Sequence, residues 1–218
     1  MKKIILALII IFILTGCEVR ELVESQDLPV LEVALNTELS NEHEVEEFKF
    51  TTTYSTGNYD INEWLVTDSK TLILNATVSN VPKGTEVFIE HVHVDISLAS
   101  QDAQLNGLTQ DSMDDTYHGY QQEGLLITET YPYKEAFAIE GFSKDIIEGW
   151  SWYVGSYGSG SISSKRLTET NLIKEGLVYG NKVQVIYNLS IKYTGEEYFH
   201  SYTVLDEFYI KTTYLKSN

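Results

Sequence analysis

The chain has 218 residues, of which 32 are acidic and 15 are basic, so its formal net charge is -17. A chain this acidic is repelled by phosphate backbones, and it has no basic cluster, so we exclude nucleic acid as a partner. Hydrophobic residues make up 43% of the chain, which is ordinary globular usage, and one domain is the natural expectation for this length. The chain has a single cysteine, which excludes an intrachain disulfide.

The first 17 residues have the layout of a bacterial export signal. Two lysines are followed by an unbroken apolar run over residues 4–14. A membrane-spanning helix needs about 20 apolar residues, so this run is too short to be one and instead has the length of a signal-peptide core. The run ends in Leu-Thr-Gly-Cys, with the cysteine at position 17.

This segment resembles the lipobox of bacterial lipoproteins, in which small residues precede the cysteine. The resemblance covers residues 1–17 only. It implies cleavage between Gly16 and Cys17 and attachment of a diacylglyceryl group to the Cys17 sulfur, with palmitate-type acyl chains. Two acyl chains anchor a protein stably where one is marginal. We therefore expect an extracytoplasmic protein, lipid-anchored to the membrane, and the composition favours a Gram-positive surface over a Gram-negative outer membrane.

The segment after the predicted cleavage site is strongly acidic. Residues 18–47 carry ten carboxylates and one basic residue. Like charges repel one another and extend a chain, so we predict a tether over residues 17–47 that holds the domain off the membrane. One stretch, residues 28–35, is apolar enough to be a short edge strand or a docking segment. This divides the chain into a signal peptide (1–16), an acidic tether (17–47) and a folded domain (48–218).

The folded domain shows the alternation of apolar and polar residues that is typical of β-strands. This pattern is clearest over residues 87–98 and 183–193, and the latter pairs with residues 198–211 as a hairpin across Thr194-Gly195-Glu196. We also expect strands at 48–54, 71–79, 125–131, 136–140 and 150–157, a short helix at 142–148, and a long polar loop at 99–124. Seven to nine strands predict an all-β, antiparallel two-sheet β-sandwich, loosely immunoglobulin-like.

One strand carries potential metal ligands. His91, His93 and Asp95 alternate with valines and therefore lie on one face of the strand. Imidazole and carboxylate groups bind zinc and other divalent ions, and such a site needs three or four converging ligands. His118, or the acidic residues Asp114 and Asp115, would complete it. The alternative interpretation is a solvated polar face without a ligand.

Aromatic residues offer a second candidate surface. Four tyrosines lie in or beside predicted loops, where they would give large contact areas at a low entropic cost: Tyr117, Tyr120, Tyr131 and Tyr133. Two tryptophans, Trp150 and Trp152, share one face of a predicted strand and indicate either core or a sugar-stacking platform.

These features support three hypotheses. The first is a lipid-anchored cell-envelope protein that displays a non-enzymatic binding domain, whose partner is an envelope or extracellular protein or a cell-wall polymer. The second is a divalent-metal-binding lipoprotein. The third is a cell-wall hydrolase, for which the sequence names neither a nucleophile nor an acid–base pair. Apart from the lipid on Cys17 and this possible metal ion, no cofactor is expected.

Overall fold

Strands dominate the part of the chain that the computed structural model describes, which is residues 38–57, 60, 63–103, 105–119, 122–142, 168–174 and 176–212. In chain order the elements are β1 (Glu38–Val45), β2 (Phe48–Ser55), β3 (Lys70–Ser79), β4 (Glu86–Ser100), β5 (Thr109–Thr116), β6 (His118–Gly119), β7 (Gln122–Glu123), β8 (Leu125–Ile127), β9 (Tyr133–Ile139), α1 (Glu169–Lys174), β10 (Val178–Lys192) and β11 (His200–Lys211).

The strands form two main antiparallel sheets that pack face to face. One sheet has four strands in the order β1-β2-β3-β9. The other has five, in the order β11-β10-β4-β5, with β8 pairing with the first residues of β4. A two-stranded ribbon of β6 and β7 completes the described strands. The predicted all-β, antiparallel two-sheet sandwich is confirmed.

The core lies between the sheets because each strand turns every second residue inward. Phe50 and Tyr54 of the four-stranded sheet meet Tyr187 and Phe208 of the five-stranded sheet, with ring centroids 5.3 and 4.7 Å apart in the two contacts. All four rings are buried. The predicted alternation is observed over residues 91–96 of β4 and 182–189 of β10, where valines point inward and, apart from Ile186, the outward side chains are polar. The predicted hairpin turn is also present, where Gly195 adopts a φ of 85°.

Residues 38–45, which the sequence analysis assigned to the tether, form the edge strand β1. Alternate residues of this strand point inward, namely Leu39, Asn41, His43 and Val45, while glutamates occupy three of the four outward positions. The acidic character that suggested an extended tether therefore describes the solvent face of a strand in this part of the segment. Charged residues on an edge strand also discourage unwanted pairing with other chains.

The predicted loop at 99–124 is wrong in part, because residues 109–116 form β5. This strand lies at an edge and exposes Ser112, Asp114 and Thr116 on its outer side, so it lacks the apolar pattern that marks an interior strand. Residues 143–148 of the predicted helix and the predicted strand at 150–157, with both of its tryptophans, lie outside the described residues, as do Cys17 and residues 28–35.

Candidate functional site

The outer face of the five-stranded sheet carries a cluster of two histidines and one aspartate, which we call the histidine cluster (His91, His93 and Asp114). The histidines occupy alternate positions of β4 and therefore share a face. Asp114 lies on β5 directly across from His93. Cross-strand partners are about 4.5–5.5 Å apart at Cβ, which is close enough for their side chains to meet.

One carboxylate oxygen joins the cluster. Asp114 Oδ1 lies 2.8 Å from His91 Nε2 and 2.9 Å from His93 Nδ1. The hydrogen bond from His93, and next that from His91, lower the pKa of the Asp114 carboxyl below its usual value. About a third of each histidine side chain is exposed, and Asp114 is 61% exposed, so the cluster is open to solvent.

A row of polar side chains extends the cluster across the sheet. The Asn188 side-chain amide on β10 lies 3.4 Å from His91 Nδ1, and Thr203 on β11 donates a hydrogen bond of 3.1 Å to Asn188 Oδ1. Four adjacent strands therefore contribute to one continuous set of side-chain contacts. The sequence analysis did not include Asn188 or Thr203, although the alternation of β10 places Asn188 on the outer face.

The structure brings some of the predicted metal ligands together but not all of them. His91 and His93 come together with Asp114, one of the two acidic residues that the sequence analysis named as completing the site. Asp95 shares their face of β4, but it is Asp114 that contacts both imidazoles, because neighbours on one face of a strand are separated by two residues whereas a cross-strand partner is closer. The side chain of His118 lies outside the described residues.

Within the residues that the structure describes, no three or more His, Cys, Asp or Glu side chains are grouped so that they would hold a metal ion. In the histidine cluster, the Asp114 oxygen itself lies at the point on which the two ring nitrogens converge. The three side chains therefore do not surround an empty position.

The tyrosines of the predicted binding surface that the structure describes lie in different environments. Tyr133 is fully buried, because it lies at an inward position of β9, and its hydroxyl donates to Asp115 over 3.1 Å. The Tyr117 hydroxyl donates to the same carboxylate oxygen over 2.8 Å, and its ring packs edge-on against Tyr133. Burial is the largest cause of the raised pKa of both tyrosines. Tyr131 is 64% exposed, and Tyr120 lies outside the described residues.

A buried carboxylate joins the two sheets at their opposite edge. Asp206, at an inward position of β11, is only 3% exposed. Its Oδ1 lies 2.9 Å from Asn41 Nδ2 and 2.8 Å from His43 Nε2, both on β1. Its Oδ2 accepts hydrogen bonds of 2.6 Å from Thr52 and 2.5 Å from Tyr54, both on β2. Four donors from one sheet thus satisfy a single carboxylate of the other.

Two further carboxylates, Asp115 and Glu46, accept hydrogen bonds from tyrosine hydroxyls in a similar way. Asp115 of the five-stranded sheet receives Tyr133 of the four-stranded sheet. Glu46, in the turn between β1 and β2, receives the hydroxyls of Tyr193 and Tyr202. Together with Asp206, these residues form carboxylate–hydroxyl bridges between the sheets. Sequence reasoning missed them because each pairs residues far apart in the chain.

Beside the histidine cluster lies an exposed apolar patch, which consists of Ile186 and Leu205. The two residues are cross-strand partners on the outer faces of β10 and β11, and Leu205 is 48% exposed. Side-chain hydrogen bonds border the patch on both sides: Thr203 to Asn188 over 3.1 Å, and Gln184 to Glu207 over 2.9 Å. An apolar centre with a fixed polar rim is the arrangement found in protein interfaces.

Comparisons with known proteins add little. No protein-family model matches the chain, and no curated protein matches it in sequence. Among solved structures, a crystal structure of a protein from Archaeoglobus fulgidus shares 11% identity and covers 81% of this chain and 97% of its own, with a TM-score of 0.29. That score is too low to carry an argument. No helix in the described ranges is both long and apolar enough to cross a membrane.

Proposed function

We propose that this protein is a lipid-anchored, extracytoplasmic binding protein that displays a non-enzymatic β-sandwich domain at the cell envelope. The lipobox-like sequence ending at Cys17 supports the anchor, and the high acidic content is suited to a solvated envelope domain. The membrane in question is the outer face of the cytoplasmic membrane of a Gram-positive cell. The partner is an envelope or extracellular protein or a cell-wall polymer.

The observation that carries the binding function is the apolar patch with its hydrogen-bonded rim. Apolar side chains at the centre of an interface supply most of the binding energy, and fixed polar groups around them set orientation. Ile186 and Leu205 offer such a centre, and the contacts of Asn188 and Glu207 keep the rim in place before a partner arrives. Preorganised side chains lose less entropy on binding than mobile ones.

Capture experiments test this function. The labelled protein is incubated with purified cell walls and, separately, with cross-linked envelope extract, as wild type and as Ile186→Thr/Leu205→Thr. Threonine keeps the strand preference while removing apolar surface. We expect the double variant to lose at least roughly tenfold in partner retention, since an interface centre contributes more than about 1 kcal/mol per residue.

The matched control is Ile73→Thr, which makes the same change on the outer face of the other sheet. It should bind as wild type does. A partner that the double variant retains as well as the wild type would refute the patch as the recognition surface. Loss in Tyr131→Ala alone would instead move recognition to the exposed turn before β9.

The anchor has a separate test. Mass spectrometry of the membrane-bound protein should find a mature N-terminus at Cys17 that carries a diacylglyceryl group, and Cys17→Ala should carry no acyl chain. A mature N-terminus at any other residue, without lipid, would contradict the anchor and leave the binding domain unaffected.

A further inference from the structure

Two imidazole nitrogens on the outer face of the five-stranded sheet are aimed at one point. His91 Nε2 and His93 Nδ1 lie 2.8 and 2.9 Å from the same atom, Asp114 Oδ1, and their ring centroids are 6.3 Å apart. Nitrogen–metal bonds to imidazole are about 2.0–2.1 Å long. An ion placed near that point thus needs each ring to approach by less than about 1 Å, and both rings are partly exposed.

We propose that His91 and His93 chelate a divalent transition-metal ion, with water in the remaining positions. The proposal goes beyond the binding function above and is independent of it. Imidazole is a ligand for zinc, nickel and copper, whereas magnesium and calcium prefer oxygen, so the site selects the first class. The protein contributes two imidazole ligands and water supplies the others, since no group of three or more suitable side chains occurs among the described residues.

The surroundings favour a cation at this point. Asp114 contacts both imidazoles through one carboxylate oxygen, and Asp95 lies on the same face of β4 as the histidines. Because Asp114 is 61% exposed, its side chain is free to rotate away from the point of convergence when an ion arrives. Its charge then remains beside the ion and offsets part of the ion's charge.

The neighbouring side chains suit a ligand histidine. A metal-bound imidazole usually donates its other N–H to an acceptor, which fixes the ring. His91 Nδ1 faces the side-chain amide of Asn188, which presents an oxygen in place of its nitrogen if the amide turns over. The Thr203 hydroxyl, which now donates to Asn188, can act as donor or acceptor and accommodates this change.

Isothermal titration with Zn²⁺ and with Ni²⁺ tests the site. The full chain is used without a polyhistidine tag and with Cys17→Ser, so that no thiol competes for the ion. We expect one ion per chain. His91→Ala and His93→Ala should each weaken binding by at least roughly tenfold, because each removes one of two ligands. Circular dichroism and melting temperatures establish that the variants remain folded.

His200→Ala is the matched control. His200 is a partly exposed histidine that contacts a carboxylate, Glu196, over 2.6 Å, and none of the other described histidine side chains shares that contact. Its substitution should leave affinity and stoichiometry unchanged. The proposal is overturned if no ion binds at concentrations up to about 1 mM, the weak end of the affinity scale. It is equally overturned if both single variants bind as wild type does, or if His200→Ala abolishes binding.

Discussion

Replacement of the buried carboxylate Asp206 by asparagine should destabilise the domain severely. Asparagine keeps one acceptor oxygen but substitutes an amide nitrogen for the other, and that nitrogen cannot accept a hydrogen bond. Two of the four donors that now point at Asp206 therefore lose their acceptor. A hydrogen bond to a charged group contributes about 1.5–3 kcal/mol, so the loss of two such bonds should lower the free energy of unfolding by about 3–6 kcal/mol.

Urea denaturation measures this loss as a change in the free energy of unfolding. A middle value of about 4 kcal/mol lowers the melting temperature of a domain of this size by roughly 8–16 °C, at about 2–4 °C per kcal/mol. Trp64 is fully buried in the described part of the chain, and its fluorescence contributes a probe of the transition. The variant should unfold at a lower urea concentration.

The neighbouring residue supplies the control. Glu207 points outward and pairs with Lys182 over 2.9 Å at the surface, where such pairs contribute about 0.2–1 kcal/mol. Glu207→Gln should therefore cost less than about 1 kcal/mol. If Asp206→Asn costs no more than Glu207→Gln, the reasoning that this carboxylate holds the two sheets together is refuted.

Three further predictions concern other buried contacts. Burial lowers the pKa of Lys70, which packs over Trp64, to about 8. Between pH 8 and 10 the unfolded chain therefore binds more protons at Lys70 than the folded chain does. As the pH rises over this range, the free energy of unfolding of wild type should increase by about 2 kcal/mol relative to that of Lys70→Met. Curves of stability against pH that run parallel for the two proteins would contradict this. Glu169 accepts four hydrogen bonds. Glu169→Gln should therefore lower the free energy of unfolding, measured by urea denaturation, by about 2–4 kcal/mol. Gly180→Ala would place a Cβ 2.1 Å from the Ile210 carbonyl oxygen, which is a steric clash. The variant should lose about 3 kcal/mol of free energy of unfolding, which a lower melting temperature would show.

The sequence predicted the interior strands well because each carries its own evidence. Residues 87–98 and 183–193 alternate over most of their length, as a strand with one buried face is expected to do. The two edge strands at 38–45 and 109–116 were missed for the opposite reason. Their outward residues are acidic or small, and their inward residues include polar groups such as Asn41 and Asp115, so local pattern alone does not separate them from a tether or a loop.

The candidate site was predicted in part. Alternation along one strand was enough to place His91 and His93 on a common face. The choice of Asp114 over Asp95 depends on the register between β4 and β5, and no local pattern determines which residues of two strands become partners. The apolar patch was missed because Ile186 and Leu205 are residue types that usually lie in the core. Only the packing of the two sheets shows that the core lies on the opposite face of both strands.

The tyrosines show most clearly what only the tertiary structure decided. Composition shows that tyrosines and carboxylates are abundant, and the lipobox-like run of consecutive residues ending at Cys17 predicts, but does not by itself establish, a lipid-anchored protein. Whether a given tyrosine recognises a partner or satisfies a buried carboxylate depends on contacts such as Tyr54 with Asp206, which are 152 residues apart. Such pairs meet only after both sheets have formed, because the packing of the two sheets brings hydroxyl and carboxylate within hydrogen-bonding distance.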